Sequence, residues 1–450
     1  MKIWIIAAVV MLALGAGIAT WMRKSARSLV RARRLRIDRF KLRRKHADIR
    51  LEVFGDKDVV TAVRNYARDH KVPIEAATRQ AHLYLTEIVP KFNLLAYYRF
   101  GAPVARAILY FLYRVVVARK PLEEFNRHAP KDAVVVYVIN HRSNVDYVLV
   151  AHMLFKFVSL SYAVGEWARV WPLNHIFKWF GGYFVRRRYR EPLYHAVLRA
   201  FVQTITRNGV TQGIFIEGGL SRNGAFLEPK LGMLDYIVTS KRSSEFQAPL
   251  FIIPTAISYD RTLEDRTLTE ELMGKEDRST RLQKLGTSFD FLFRNFFRSL
   301  RGRFKRYGYA AVSFGEPILV DDVIREDHAL VADTFDERKP AMKRLAGRIM
   351  ESISAALPVT PVPVVASVFA ASGGALSESE VIQAVREFRT RVSDRVWLTG
   401  EQTAEEIWEA AKRLLLLRHL IEERSAGWCW NPDEILLRDY YANALVPYGE

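Results

Sequence analysis

The chain has 450 residues, half of them hydrophobic, with ordinary glycine and proline usage; this is enough for a large core in two or three domains. A single cysteine, Cys429, excludes an intramolecular disulfide and a cysteine-based zinc site. The ten histidines include no His-Glu-x-x-His pair, so no metal is expected. The formal charge of +19 is concentrated, since 13 Lys/Arg and only two acids, Asp38 and Asp48, lie between Arg23 and Arg50.

Ahead of that basic run, Ile3 to Met22 is apolar apart from Thr20, long enough to cross a bilayer as one helix. A cleavable signal peptide is shorter and carries its positive charge in front, whereas here the charge follows. The expectation is an N-terminal transmembrane anchor over 1–22, with the positive-inside rule placing everything after it on the cytoplasmic face. The basic run either contacts anionic membrane lipids or only sets topology. No zinc-finger or aromatic RNA-binding signature accompanies it, so nucleic acid is not expected as a partner.

Residues 23–120 form a basic and helical N-terminal region. Asp58–Arg68 and Ile74–Val89 carry apolar residues at helical spacing, and Leu94–Val117 is apolar and aromatic with Arg99, Arg106 and Arg114 interspersed. That last stretch reads as a helix lying on a membrane or covering the core. From 121 to 330 the pattern alternates. Strands are expected at 133–139, Val158–Val164, Gly213–Ile216, Leu250–Ser258 and Tyr309–Phe314. Helices are expected at Asn144–Phe155, Trp171–Phe180, Leu193–Asn208 and about Arg278–Arg301. Apolar runs without alternation imply strands covered on both faces, hence an α/β fold with a largely parallel sheet covered by helices. Phe289 to Arg306 interleaves phenylalanines with arginines, as membrane-surface helices do and as core helices with snorkelling arginines also do. Residues 331–450 read as a helical C-terminal domain without chemistry. Ala341–Ala356 is a helix, Pro358, Pro361 and Pro363 mark a linker, and Ser377-x-x-Glu380 and Thr403-x-x-Glu406 are capping boxes.

Four segments carry candidate chemistry. His141-Arg142-Ser143-Asn144-Val145-Asp146 follows the first buried strand; imidazole takes a proton near neutral pH, and a carboxylate five residues on can fix its tautomer. Alone, the pair is equally a helix-capping Asp beside a surface His. Gly181-Gly182-Tyr183-Phe184-Val185-Arg186-Arg187-Arg188 places an arginine cluster after an apolar stretch. Glu217-Gly218-Gly219-Leu220-Ser221-Arg222 gives a strand a glycine-bearing loop, and Pro249-Leu250-Phe251-Ile252-Ile253-Pro254 is a strand broken by proline. Arg186 and Arg222 can supply charge-assisted bonds to a phosphate, with Lys230 a weaker candidate; Arg187 and Arg188 equally suit a solvated face. Glu217 suits organising the arginines or bonding a hydroxyl. No Walker loop, Gly-x-Gly-x-x-Gly or Gly-x-Ser-x-Gly frame is present.

In this order, over roughly 133 to 260, the four segments resemble the blocks of the glycerolipid acyltransferase superfamily. His-Arg-Ser-x-x-Asp, Gly-Gly-Tyr-Phe-Val-Arg-Arg and Glu-Gly-Gly resemble its glycerol-3-phosphate acyltransferase branch. The resemblance implies that His141 is the base and Asp146 its orienter. It further implies that Arg142, Ser143, Arg186, Glu217, Gly218, Gly219, Ser221 and Arg222 form the acceptor site, and that Pro254 shapes the acyl site. The implied reaction moves an acyl chain from acyl-CoA or acyl carrier protein to the sn-1 hydroxyl of glycerol 3-phosphate, giving lysophosphatidic acid. It needs no cofactor and no acyl-enzyme, and backbone N–H groups near the start of the helix after Asn144 would stabilise the oxyanion. Lysophosphatidate or dihydroxyacetone phosphate is the alternative acceptor, and a non-catalytic membrane scaffold the alternative role. One departure stands out: Leu220 replaces an arginine that the family's third block often carries.

Overall fold

The computed structural model describes residues 46–89, 102–154, 161–164, 182–186, 189–273, 306–392, 396–397, 399–400 and 403–449. The expected anchor, most of the basic run, the helices at 171–180 and 278–301, the phenylalanine–arginine segment up to 305, and Arg187 and Arg188 lie outside the described residues.

One sheet contains β1 (Arg114–Val117), β2 (Val134–Ile139), β3 (Ser161–Val164), β4 (Gly182–Phe184), β5 (Gln212–Phe215), β6 (Leu250–Tyr259), β7 (Tyr309–Phe314) and β8 (Ile318–Leu319). Its order is β1-β7-β6-β2-β5-β3-β4, with β8 also paired to β6. β6, β2, β5, β3 and β4 are mutually parallel, while β7 and β8 run antiparallel to β6. The largely parallel α/β sheet expected from the sequence is present, with an antiparallel margin. β2 is buried along its whole length because both faces are covered. Val134, Val136 and Val138 enter one core cluster, and Val135, Tyr137 and Ile139 the other. Helices Ile74–Ile88, Pro192–Arg207, Leu231–Val238 and Phe335–Ala355 contribute to the first cluster; helices Ala102–Leu112 and Asp146–Leu154 contribute to the second.

Three sequence expectations need correction. The helix expected over 94–117 ends at Leu112, and Arg114–Val117 is an edge strand parallel to β7, with Val117 opposite Val312. A short apolar run reads equally as helix or strand, and three consecutive valines favour the strand once an edge is offered. Pro254 does not break its strand. β6 runs unbroken through it, because antiparallel pairing passes from β8, at Phe251 and Ile252, to β7, beginning at Thr255. The Pro254 carbonyl accepts from the Gly315 N–H on that flank (2.9 Å), so the missing proline N–H falls in the gap between the two ladders.

The third correction concerns the proline-rich linker. Pro358–Val359 is a short strand, β9, paired to β10 (Val396–Trp397), and Pro361 opens a helix to Ser372 buried along most of its length. Proline in a helix's first turn sacrifices no hydrogen bond, since the first N–H groups have no intrahelical partner. The expected capping boxes are both formed, Ser377 with Glu380 and Thr403 with Glu406. A hairpin of β11 (Ile421–Arg424) and β12 (Gly427–Trp430) precedes the helix Ile435–Asn443. The core crosses residue 330: Val134 and Ile214 share one cluster with Val364, Trp408 and Tyr441. A buried Arg338–Asp235 pair (2.7 Å) ties the Phe335–Ala355 helix to Leu231–Val238. Removing one partner of such a pair typically costs about 3–5 kcal/mol.

Candidate active site

The carboxyl ends of β2, β5 and β6 lie side by side at one edge of the sheet, where open α/β sheets place their sites. Asn140 fixes the exit from β2. Its side chain donates to Ile257 O (3.0 Å) and accepts from Ile257 N–H (2.8 Å), so it continues the ladder with β6 by one residue. On the other side Ile216 N–H donates to Ile139 O (3.1 Å). The next residue, His141, leaves the sheet with its backbone N–H donated to Glu217 Oε1 (2.9 Å).

Asp146 is the first residue of its helix and is fully buried. Its Oδ2 lies 2.9 Å from His141 Nδ1 and accepts from the N–H groups of Arg142 (2.7 Å) and Ser143 (3.0 Å). Its Oδ1 accepts the Tyr259 hydroxyl at 2.7 Å. A carboxylate surrounded by donors assigns the His141 proton to Nδ1 and leaves Nε2 with a lone pair. Among the described residues nothing hydrogen-bonds Nε2. The imidazole stacks on Phe215 (centroids 4.2 Å apart) and meets Tyr147 edge-on (5.5 Å). The sequence-adjacent pair is thus an assembled His–Asp couple, and with His141 only 2% exposed it works where charges are weakly screened. Burial and the Asp146 charge push the Tyr259 phenol well above its ordinary value, so it remains a donor.

The turn's own amides do not form an oxyanion hole as the sequence reading supposed. Arg142 and Ser143 N–H are used by Asp146, Asn144 N–H donates to Glu264 Oε1 (3.2 Å), Val145 N–H to Ser143 Oγ (3.2 Å), and Asp146 N–H to Ser143 O (3.0 Å). The loop is so short that its backbone donors are consumed in holding Asp146 and closing the turn.

Glu217, fully buried, is a bracket between blocks. Oε1 takes the His141 N–H and Oε2 the Leu227 N–H at 2.8 Å. Burial pushes its carboxyl up, against the downward pull of the Arg142 guanidinium and of these N–H groups. Gly218 turns the chain with φ +66°, and a Cβ there would stand 2.8 Å from Lys230 Cγ. Gly219 and Leu220 follow half-buried, and Leu220 packs against the core. Ser221 is buried and donates to Asn223 Oδ1 (3.0 Å), bracing the loop from within.

The arginines divide. Arg142 is buried: Nη1 donates to Gly224 O and Ala225 O, the guanidinium lies 4.7 Å from the Phe226 ring centroid, and Nη2 has no partner among the described residues. It braces the third-block loop. Arg222 is exposed and pairs with Glu271 (2.8 Å), from which it can swing. Lys230 is exposed, immediately before the Leu231–Val238 helix. Arg186 leaves the end of β4, three strand positions from β2, or roughly 14 Å at ordinary strand spacing. It forms a two-pronged pair with Glu87 (2.8 and 2.5 Å), among the rings of Tyr84, Tyr189 and Tyr194. The structure brings His141, Arg142, Ser143, Asp146, Glu217 and Ser221 into one connected group, and gives Arg186 and Arg222 carboxylate partners of their own.

Two members of the group escape a sequence reading. Tyr259 lies beyond the fourth segment. Glu264 is part-buried, and accepts from Ser143 Oγ (2.7 Å) and Asn144 N–H. Desolvation, with Asp146 nearby, pushes its carboxyl above the ordinary range against these bonds. In sequence Glu264 looks like any acid at a helix start. Among the described residues no cluster of His, Cys, Asp or Glu is arranged to hold a metal.

Residues 122–258 match the family model described as Acyltransferase, and residues 293–447 match that of the Glycerol-3-phosphate acyltransferase C-terminal region. A glycerol-3-phosphate acyltransferase of Aeromonas hydrophila subsp. hydrophila is 28% identical over 72% of this chain and 40% of its own length. One of Alteromonas mediterranea is 27% identical over 75% of this chain and 41% of its own length. The chain thus spans about two fifths of the length of these relatives. The crystal structure of the 1-acyl-sn-glycerophosphate acyltransferase from Thermotoga maritima covers 65% of this chain and 94% of its own, at 17% identity and a TM-score of 0.32. That likeness is slight, and the fold rests on the strand pairing described above.

Proposed function

Given that the chain belongs to the glycerolipid acyltransferase superfamily, we propose that it moves a fatty acyl chain from an acyl thioester to the sn-1 hydroxyl of glycerol 3-phosphate. The observation that carries this reading is the assembled couple of His141 and Asp146, with Nε2 left as the acceptor at the sheet's edge. Nε2 takes the proton of the primary hydroxyl as the alkoxide oxygen attacks the thioester carbonyl. The tetrahedral intermediate collapses, the C–S bond breaks, and the thiolate takes the proton back from the imidazolium. Asp146 holds the ring and offsets the imidazolium charge in a buried setting. No acyl-enzyme is required, which agrees with Cys429 lying in the β11–β12 hairpin near Glu422 rather than in the connected group.

Glu217, Ser143 and Ser221 set the loops. Arg222 is the phosphate ligand best placed to move, since its pair with Glu271 is exposed. Arg186 joins it once the acceptor phosphate competes with Glu87. The acyl chain runs past Pro254. The donor is acyl-CoA or acyl carrier protein, both anionic and suited to a chain of charge +19. We further propose an N-terminal anchor over 1–22 with the catalytic part on the cytoplasmic face, and anionic lipids against the basic run. An apolar stretch followed by positive charge supports this. The product is an amphiphile, which suits a membrane site.

The deciding experiment gives the purified full chain a radiolabelled acyl thioester with glycerol 3-phosphate, lysophosphatidate or dihydroxyacetone phosphate. Glycerol 3-phosphate should be labelled, and His141→Ala should lower the rate about 10²–10⁴-fold. Labelling of lysophosphatidate alone refutes the assignment; equal inactivity of wild type and His141→Ala with every acceptor favours a scaffold.

A further inference from the structure

We infer that Glu264 is a positioning residue for this reaction, and that the C-terminal residues Arg418 and Tyr441 hold it in place. The inference rests on the proposed role of the His141–Asp146 couple. Glu264 Oε2 accepts from Ser143 Oγ (2.7 Å) and Oε1 from Asn144 N–H (3.2 Å). Ser143 Oγ in turn accepts the Val145 N–H. One carboxylate thus fixes the turn whose Arg142 and Ser143 amides hold Asp146, and Asp146 holds the imidazole. Glu264 touches no reacting atom; it acts through that turn.

What holds Glu264 comes from the far end of the chain. The next residue, Asp265, is buried, and its Oδ2 pairs with Arg418 Nη1 (2.7 Å) and accepts the Tyr441 hydroxyl. Arg418 also donates to the Tyr441 oxygen at 3.0 Å. Thr262 Oγ1 donates to the Tyr440 hydroxyl (3.3 Å), and Arg266 pairs with Glu434 (2.6 Å). Three side chains of the segment from 262 to 266 are therefore tied to four between 418 and 441. The Ile435–Asn443 helix also meets the third-block loop. Asn443 Nδ2 donates to Asn223 O (3.0 Å), and Gly224, whose carbonyl accepts from Arg142, lies against the Tyr440 backbone. Both supports of the His141 turn lead to one C-terminal helix, in the region that the sequence marked as lacking chemistry.

A merely structural Glu264 would change stability alone; a positioning Glu264 changes the imidazole. The test uses the full chain carrying Glu264→Gln and, separately, Tyr441→Phe, which removes one donor to Asp265 and leaves Arg418. Two readouts are taken: steady-state kinetics with glycerol 3-phosphate, and ¹⁵N-imidazole NMR of histidine-labelled protein, with the His141 signal assigned by its loss in His141→Gln. In Glu264→Gln the amide oxygen can keep only one of the two donors, and the NH₂ on the other side forces Ser143 Oγ to turn from donor to acceptor while it also holds the Val145 N–H, so the turn loosens. We expect kcat to fall about 10–100-fold with KM changed less than about twofold, and the Nδ1–H tautomer fraction of His141 to drop. Tyr441→Phe should shift both readouts the same way by less. An unchanged tautomer in Glu264→Gln, or an unchanged kcat in the folded variant, overturns the inference. If the wild type acylates none of the acceptors, the proposed function fails by itself and the tautomer alone decides the role of Glu264.

Discussion

Replacing Asp146 by asparagine separates the charge of this residue from its geometry. One carboxylate oxygen faces three N–H donors, from His141 Nδ1, Arg142 and Ser143, and the other faces the Tyr259 hydroxyl. An isosteric amide fits with its oxygen toward the three donors and its NH₂ toward Tyr259, whose oxygen can accept. The two backbone amides therefore impose the orientation that keeps the His141 proton on Nδ1. What is lost is the negative charge beside the imidazolium. Unit charges about 4 Å apart interact by about 4 kcal/mol at an effective dielectric of about 20. At about 1.4 kcal/mol per decade this predicts a fall in kcat of about 10³-fold. The assay is kcat for acyl transfer to glycerol 3-phosphate, paired with ¹⁵N NMR of the His141 ring. A rate within about tenfold of wild type would mean that the charge is not used. An Nε2–H tautomer in the variant would refute the claim that the turn's amides, rather than the charge, set the geometry.

Glu217 gives a pH prediction. Burial raises its carboxyl above 4.5, so the native state binds its proton more tightly than the unfolded chain. That contribution is fully present below 4.5 and is lost as the pH rises through the raised value. Wild type should therefore gain stability relative to Glu217→Gln as the pH falls across that window. Urea unfolding at a series of pH values measures the gap, and a gap that shrinks on acidification contradicts the assigned shift. Arg222→Ala should raise KM for glycerol 3-phosphate about tenfold or more and leave the unfolding midpoint unchanged, because the residue is exposed and its pair with Glu271 lies at the surface. A higher KM without any effect of phosphate as a competitor would remove Arg222 from the acceptor site. Gly224→Ala should cost at least about 3 kcal/mol. Its φ is +84° and a Cβ would stand 1.8 Å from Tyr440 O, so the backbone itself must move. A near-neutral unfolding free energy would show that the Ile435–Asn443 helix does not press on this loop.

How much of the site can be read from the sequence depends on chain separation. His141 and Asp146 are five residues apart, and a strand ending in a helix start brings them together by local geometry. The same holds for the Ser377 and Thr403 capping boxes, which satisfy helix amides within three residues. Where the pattern was ambiguous, long-range pairing settled it. Arg114–Val117 became a strand because β7 offered an edge, and the prolines at 361 and 363 became a helix start because the first turn needs no N–H donors. Glu264, Tyr259, Arg418 and Tyr441 were illegible for the same reason, since each acts on a residue more than a hundred positions away.

The sequence by itself determined a parallel-sheet α/β core, a histidine and a carboxylate after the first buried strand, and a glycine-bearing loop after another. Short-range periodicity and turn chemistry carry that information. Only the tertiary structure decided which donors are already used. It showed the amides of the His141 turn consumed by Asp146, Glu264 and the turn itself, Arg186 paired with Glu87, and Leu220 packed on the core. The physical reason is that a buried polar group must find a partner, and which partner it finds depends on what the whole chain brings within about 3 Å of it.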